Sequence, residues 1–404
     1  MTNQPEAIKR LSLPELTGRL GMSVRDAERE LENAPALPGP LLDATYADTH
    51  RFPPPKWALP TFVEAAGGGG MTYTPYRGDR EVREAVAHNV STGLGIPATG
   101  ASDVILTPGT QGALFTALAA ILSPGDLVLL PDPDYLSTER MLRYFGARVK
   151  RIPMLWPQDG SRPTLDLQAL EEAAAEGPRL MVFSHPNNPT GAIYGPETIA
   201  AIAAAAVRHD FTVIADELYC RLVYEGEEFH HLAAVEGMAE RTVTLLGPSK
   251  TESLSGYRLG VAVAPTALVG DMEDVQSCTA LRAPAYAQHL LARWIAEDGD
   301  FLRQRLVEYQ ALRDTTVKKI NASSVMRVDA AYGTAYLFPR VLTGAGDQAV
   351  ALALKEHAGV VVNPGYQFGL AGSGHMRLCF AQDEAVWDAA LDRIIDVVGS
   401  VDPT

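Results

Sequence analysis

Between about residue 100 and residue 265 the chain alternates short apolar runs with longer stretches whose apolar residues recur three and four apart. Runs of the first kind, bounded by Gly, Pro and Asp, read as buried strands, and stretches of the second kind read as amphipathic helices. The strand candidates fall at 104–107, 127–131, 148–152, 180–184, 212–215, 242–246 and 259–264. Two Ala- and Leu-rich stretches between them, 111–122 and 197–208, are long enough to carry the chain back over a sheet between parallel strands. A regular strand–helix alternation of this kind implies an α/β fold with a mostly parallel seven-stranded sheet between helices.

The outer segments have a different texture. Residues 1–40 carry an amphipathic pattern followed by the breaker-rich APALPGP, and the chain from about 290 onward reads as helices with a few strands. Both ends are expected to build a smaller α+β domain, with 1–65 as N-terminal arm and part of that domain, 66–290 as the large domain and 291–404 as the rest of the small one. The run Gly67 to Gly70 reads as a flexible connection without a chemical role.

Composition narrows the function. A chain of 404 residues, 47% hydrophobic and 21% charged, can bury a large core. Its 34 basic and 49 acidic residues leave a net charge of −15, which repels nucleic acid and anionic membrane surfaces. Cys220, Cys278 and Cys379 are far apart and form no CxxC pair, so neither a disulfide framework nor a metal site is expected. The N-terminus lacks a basic segment followed by an apolar run, and no stretch is long and apolar enough to span a bilayer, so the expected location is the cytoplasm.

The chemistry-bearing residues lie at the ends of the predicted strands, where open α/β sheets bind their ligands. In order they are GTQGA at 109–113, DPDY at 132–135, HPNNPTG at 185–191, DELY at 216–219, GPSKTESLSGYRLG at 247–260 and RLCFA at 377–381. Six segments in this order and spacing resemble the class I/II aminotransferase family, pyridoxal-phosphate enzymes of fold type I with an aspartate aminotransferase-like architecture. The resemblance runs from about Tyr73 to Ala381.

It implies pyridoxal 5'-phosphate as cofactor, an α-amino acid as the small-molecule substrate and a homodimer with shared active sites. By the same resemblance Lys250 holds the cofactor as an imine and shuttles the substrate's α-proton. Asp216, at the tip of an apolar run, keeps the pyridine nitrogen protonated; a carboxylate so placed needs a cation. Asn188 and Tyr219 hydrogen-bond the cofactor's 3-oxygen, and Tyr135 stacks on its ring. Gly109, Thr110 and Gln111 open a helix and offer backbone donors to the phosphate. Arg258 adds a guanidinium fork, Ser249 a hydroxyl, and Tyr73 reaches the phosphate from the neighbouring subunit. Arg377 grips the substrate's α-carboxylate with two parallel hydrogen bonds.

Two departures from the family pattern stand out. The usual serine three residues before the lysine is Gly247, which removes or replaces one phosphate contact. The N-terminal pocket segment reads DATYADTHRFPPP, without the usual glycine turn, so Tyr46, Asp48, His50 and Arg51 are candidates for contacting an unusual side chain. Transamination is the leading expectation. The alternative is elimination, replacement or cyclisation at the β or γ carbon, for example on S-adenosylmethionine, because the same carbanion can follow either path.

Overall fold

A computed structural model describes residues 5–11, 24–68, 72–156 and 163–403. Part of the glycine run, Gly69 and Gly70, lies outside the described residues. The central sheet consists of β1 (Val104–Pro108), β2 (Leu127–Asp132), β3 (Arg148–Leu155), β4 (Thr164–Leu165), β5 (Leu180–Ser184), β6 (Thr212–Asp216), β7 (Thr242–Leu246) and β8 (Leu259–Val263). Their spatial order is β1-β8-β7-β6-β5-β2-β3-β4. The expected seven strands are all present; the sheet has eight because β4, a two-residue strand, pairs antiparallel with the end of β3. A pair as short as Thr164–Leu165 leaves no hydrophobic run for a sequence to show.

The interior pairs β3/β2, β2/β5, β5/β6 and β6/β7 are parallel, whereas β8 runs antiparallel to both β7 and β1. Strands β5, β7 and β8 are buried along their whole length, which explains their continuous apolar runs. Helices cover both faces. Helix α1 (Thr110–Ile121) packs with β1 and β8, and α2 (Leu136–Phe145) lies beside it. Helix α3 (Pro196–His209) carries Pro at its first position and stops at Asp210 in the left-handed conformation.

One consequence of this topology matters for the site. The carboxyl ends of β1, β2, β5, β6 and β7 share one edge of the sheet. Because β8 is reversed, its amino end lies at that same edge, so the residues entering β8 join those leaving the other five strands.

The chain's two ends pack together. Leu42–Asp43 pairs parallel with Val360–Val361, and Leu31, Ala44 and Phe52 share one apolar cluster with Tyr309, Leu378, Trp387 and Val398. In the C-terminal part, Met376–Cys379 pairs antiparallel with Tyr336–Leu337 on one side and with Asn363–Pro364 on the other. Helix α4 (Gly299–Ala322) leads into this layer from the sheet region.

Candidate active site

A cavity of about 250 Å³ opens at the carboxyl edge and is closed on its far side by the C-terminal layer. Its wall includes Thr110, Gln111, Tyr135, Asn188, Asp216, Tyr219, Ser249, Lys250, Arg258 and Arg377. Ten residues singled out from the sequence are thus brought together, nine by the ends of central-sheet strands and Arg377 by a strand of the C-terminal layer.

Ser184 and Asp216 are partners across β5 and β6, and Asp216 pairs with Leu245 of β7, which sets the lateral spacing of the polar tips. Asp216 Oδ1 accepts the Leu218 N–H at 3.3 Å in the turn that follows β6, and no helix begins there. Burial pushes this carboxyl up to about 6; Glu217 adds to the rise, while the Leu218 N–H and Lys250 pull against it. A cation brought against Asp216 would reverse that penalty.

Tyr219 and Tyr336 are buried partners, the Tyr219 hydroxyl donating to Tyr336 Oη at 3.1 Å. Burial raises the Tyr219 hydroxyl well above the ordinary phenol range, so it stays protonated. The Tyr135 hydroxyl donates to Gln111 Oε1 at 3.0 Å and ties the ends of β1 and β2 together.

Arg377 is 5% exposed and has no carboxylate partner among the described residues. Its Nη1 donates to Asn188 Oδ1 at 2.9 Å; its Nη2 donates to Thr45 O at 2.9 Å and to Asn363 Oδ1 at 2.5 Å. The guanidinium lies 4.0 Å from the Tyr336 ring centre and 5.0 Å from that of Phe368, and its buried Nε donates to nothing. With Nη2 taken by Thr45 O and Asn363 Oδ1, the Nε–H and one Nη1 hydrogen of this fixed, desolvated group remain to meet an anion.

The phosphate-binding expectation can be tested on the backbone. Gly109 has φ 77° and ψ 160°, a conformation that side chains disfavour, and a Cβ there would collide with Nη2 of Arg258 and come within 2.9 Å of its Cζ. A Cβ at Gly260 would strike the Gly109 carbonyl carbon and the Thr110 nitrogen. The two glycines therefore let Arg258, itself at φ 54°, lie against the first turn of α1, whose N–H groups have no partner within the helix. The Arg258 Nη1 donates to Ser255 O at 3.0 Å, which holds the fork in place. Ser249 Oγ donates to Leu259 O at 3.4 Å. At Gly247 a Cβ would sit 2.9 Å from Thr110 Oγ1 and 3.2 Å from Leu259 O, so the Thr110 hydroxyl fills the space where a serine would stand.

Behind the lysine loop, Arg221 is clamped between Glu252 and Asp298, with Nη1 donating to Glu252 Oε1 and to Asp298 Oδ2 at 2.9 Å, and Nη2 donating to Asp298 Oδ1 at 2.5 Å. All three are buried, and burial together with Asp298 pushes Glu252 up to about 8 against the pull of Arg221.

The remaining candidates lie elsewhere. Tyr73 is 75% exposed, does not line its own chain's cavity, and has the Arg282 guanidinium 4.8 Å above its ring. Tyr46, Asp48 and His50 are not in the cavity wall: Tyr46 is 55% exposed, and Asp48 Oδ1 accepts the N–H groups of His50 and Arg51 in a surface turn. Arg51 pairs with Glu308 on the outer surface. From that segment it is Thr45 that reaches the cavity. Its neighbour Ala44 is wholly buried, with its N–H donating to Val361 O, and Thr45 lies in the turn that follows, its N–H and hydroxyl donating to Asp43 Oδ1 at 2.9 and 2.6 Å. Thr45, Ser184, Tyr336 and Asn363 are the contributors that motif reading passed over.

Fold and pocket together define an α/β protein with a cleft at its sheet edge lined by Lys250, Arg258 and Arg377. Residues 43–394 match the family model described as aminotransferase class I and II. The chain is 31% identical over 338 residues to aromatic-amino-acid aminotransferase 2 of Thermococcus litoralis, covering 83% of this chain and 86% of that one. It is 32% identical over 351 residues to the aspartate/prephenate aminotransferase of Thermus thermophilus, covering 86% and 89%. Among solved structures, an aspartate aminotransferase from Rhodobacter sphaeroides superimposes with a TM-score of 0.88 at 36% identity, over 98% of this chain and 99% of that one. The chain belongs to the class I and II aminotransferases, and it is an enzyme of transamination; elimination or replacement finds no support among these relatives.

Proposed function

We propose that the chain transfers the amino group of an α-amino acid with pyridoxal 5'-phosphate held in the cavity, as a homodimer in the cytoplasm. The observation that carries this reading is the cavity's charge. Lys250, Arg258 and Arg377 line it with Asp216 as the one acid in its wall, although the whole chain carries −15. Such a lining suits a ligand bearing a phosphate at one end and a carboxylate at the other, with one cationic ring atom for Asp216.

The cofactor supplies an electron sink for the pair left when the substrate's Cα–H bond breaks. Asp216 holds a proton on the pyridine nitrogen, and the ion pair removes the cost of burying its carboxylate. Lys250 would anchor the cofactor through its amine and, once the substrate's amine had displaced it, its freed amine would take the proton from Cα and return it across the imine nitrogen. Arg377 fixes the α-carboxylate, and Asn188 braces that guanidinium while facing the 3-oxygen with Tyr219. Tyr135 covers the ring, and Thr110, Gln111, Ser249 and Arg258 receive the phosphate, Thr110 standing in for the serine missing at 247. Gly109 takes part by leaving room for Arg258. The exposed Tyr73 supports a role in a neighbouring subunit's site rather than its own.

The test is a visible spectrum of the purified holoenzyme, mixed in turn with a panel of amino acids and with S-adenosylmethionine. Loss of the visible band with one keto acid released per site is the expected result, and a substitution of Lys250 by Ala abolishes both. Release of a side-chain fragment without loss of the band would overturn transamination. Sedimentation of the holoenzyme at one chain mass would overturn the dimer.

A further inference from the structure

Asp134 stands in the DPDY segment two residues past β2, is 2% exposed, and has no part in the reaction as described. Three N–H donors converge on its carboxylate. Oδ1 accepts from the Tyr135 backbone at 2.6 Å, and Oδ2 accepts from the Ser184 backbone at 3.1 Å and from Asn187 Nδ2 at 3.2 Å. Its own N–H donates to Phe368 O at 2.9 Å. Ser184 passes the connection on, since its Oγ accepts the Asn188 N–H at 3.0 Å. Asn188 in turn holds Arg377 Nη1, and the Phe368 ring lies beneath the same guanidinium. One buried carboxylate therefore fixes the residue before the ring-stacking position, the turn bearing Asn188, and the loop under Arg377.

We propose that Asp134 is a positioning residue for the substrate-carboxylate grip, setting Asn188 and Arg377 through Ser184 and Phe368. The inference rests on the reading of Arg377 given above. Donors alone surround Asp134, and an ionised carboxylate can accept from all of them, whereas a protonated one must give up an acceptor site. Burial pushes Asp134 up to about 7 despite the Ser184 and Tyr135 N–H groups and the Ser184 hydroxyl, and Asp216 at the end of β6, beyond β5, adds to the rise. The other titratable group facing it is Tyr194, a fully buried phenol whose own ionisation burial suppresses. As pH falls through about 7, Asp134 takes up a proton, a donor loses its acceptor, and the grip on carboxylates slackens.

The experiment uses the holoenzyme and its Asp134→Asn, Ser184→Ala and Arg377→Lys variants. KM and kcat are measured for an amino acid that bleaches the visible band, with the inhibition constant of 3-phenylpropanoate, a carboxylate with no amino group, between pH 6 and 8.5. Asp134→Asn is expected to raise KM and the inhibition constant about tenfold, the loss of one charge-assisted hydrogen bond, with kcat little changed and a flatter pH dependence. Ser184→Ala, which keeps the Asp134 carboxyl but removes a hydroxyl that holds its pKa down, raises KM and moves the pH dependence to higher pH rather than flattening it; it also serves if Asp134→Asn does not fold. A lower melting temperature with both constants and the pH profile unchanged would mean that Asp134 is only structural and overturns the inference. So does an unchanged KM in Ser184→Ala. An inhibition constant insensitive to Arg377→Lys would instead remove the reading of Arg377 itself, so the two failures are distinct.

Discussion

Replacing Gly109 by Ala separates cofactor binding from folding in a way that can be calculated from the site. The backbone at φ 77° and ψ 160° lies in a region nearly reserved for glycine, which costs about 1–3 kcal/mol with or without ligand. The new methyl also collides with Nη2 of Arg258 and reaches within 2.9 Å of its Cζ, so the guanidinium must leave the first turn of α1. That second loss is felt only when phosphate is bound. One charge-assisted hydrogen bond contributes about 1.5–3 kcal/mol, equivalent to a roughly 10- to 150-fold weaker cofactor affinity.

Two measurements divide the effects. Denaturant unfolding of the apoenzyme reports the strain, and titration of apoenzyme with pyridoxal 5'-phosphate, followed by absorbance, reports the lost contact. In an Arg258→Ala background the same Gly109→Ala change should leave affinity almost untouched, because the partner it displaces is already gone. Affinity within twofold of wild type in the single variant, alongside a weakened apoenzyme, would refute the argument that Gly109 exists to seat Arg258 on the phosphate.

Arg377→Leu should lower kcat/KM by about 10²–10³-fold through the lost bidentate contact while the cofactor stays bound; steady-state kinetics with the absorbance spectrum check both halves. Glu252→Gln removes a carboxyl whose raised value, about 8 against 4.5, gives stability present below about pH 4.5 and lost as pH rises through about 8. Melting curves of holoenzyme should therefore show the variant gaining on wild type between pH 6 and 9, and parallel curves would count against a proton on Glu252. Asp48→Ala combined with His50→Ala should leave the ranking of amino-acid substrates unchanged and cost under about 1 kcal/mol, since both sit in a surface turn; a re-ordered panel would return them to the pocket.

These predictions divide the molecule into what the sequence announces and what it conceals. Most of the seven long strands are legible because burial on both faces leaves unbroken apolar runs, as in the LMVFS of β5 and the TVTLL of β7, whereas β3, RVKRIPML, is exposed along much of its length. Many of the cavity residues are legible for a related reason: Asp216, Ser249 and Lys250 follow such runs closely, Asn188 and Tyr135 lie in the polar turns after them, and the parallel register delivers these strand ends to one edge. β4 escapes because two residues carry no periodicity, and so do the two-residue strands of the C-terminal layer, such as Asn363–Pro364, which bring Asn363 onto Arg377.

The DATYADTHRFPPP segment shows the limit most clearly. Polarity drew attention to Tyr46, Asp48 and His50, but what decides a pocket contact is direction, and direction there is set by pairing with Val360–Val361, more than 300 positions away in the chain. Thr45 reaches Arg377 through a backbone carbonyl, a group every residue has and no motif can mark. Asp134 is concealed differently. Its letter stands in plain sight beside Tyr135, yet its partners are the backbone of Ser184 and the loop at Phe368, brought together only when β2, β5 and the C-terminal layer have closed around it. The cavity residues at the central sheet's edge are thus fixed by local order along strands, whereas Arg377 and the groups that aim it depend on long-range closure. For the same reason, changes in the second group should alter KM and pH dependence before they alter the cofactor's attachment to Lys250.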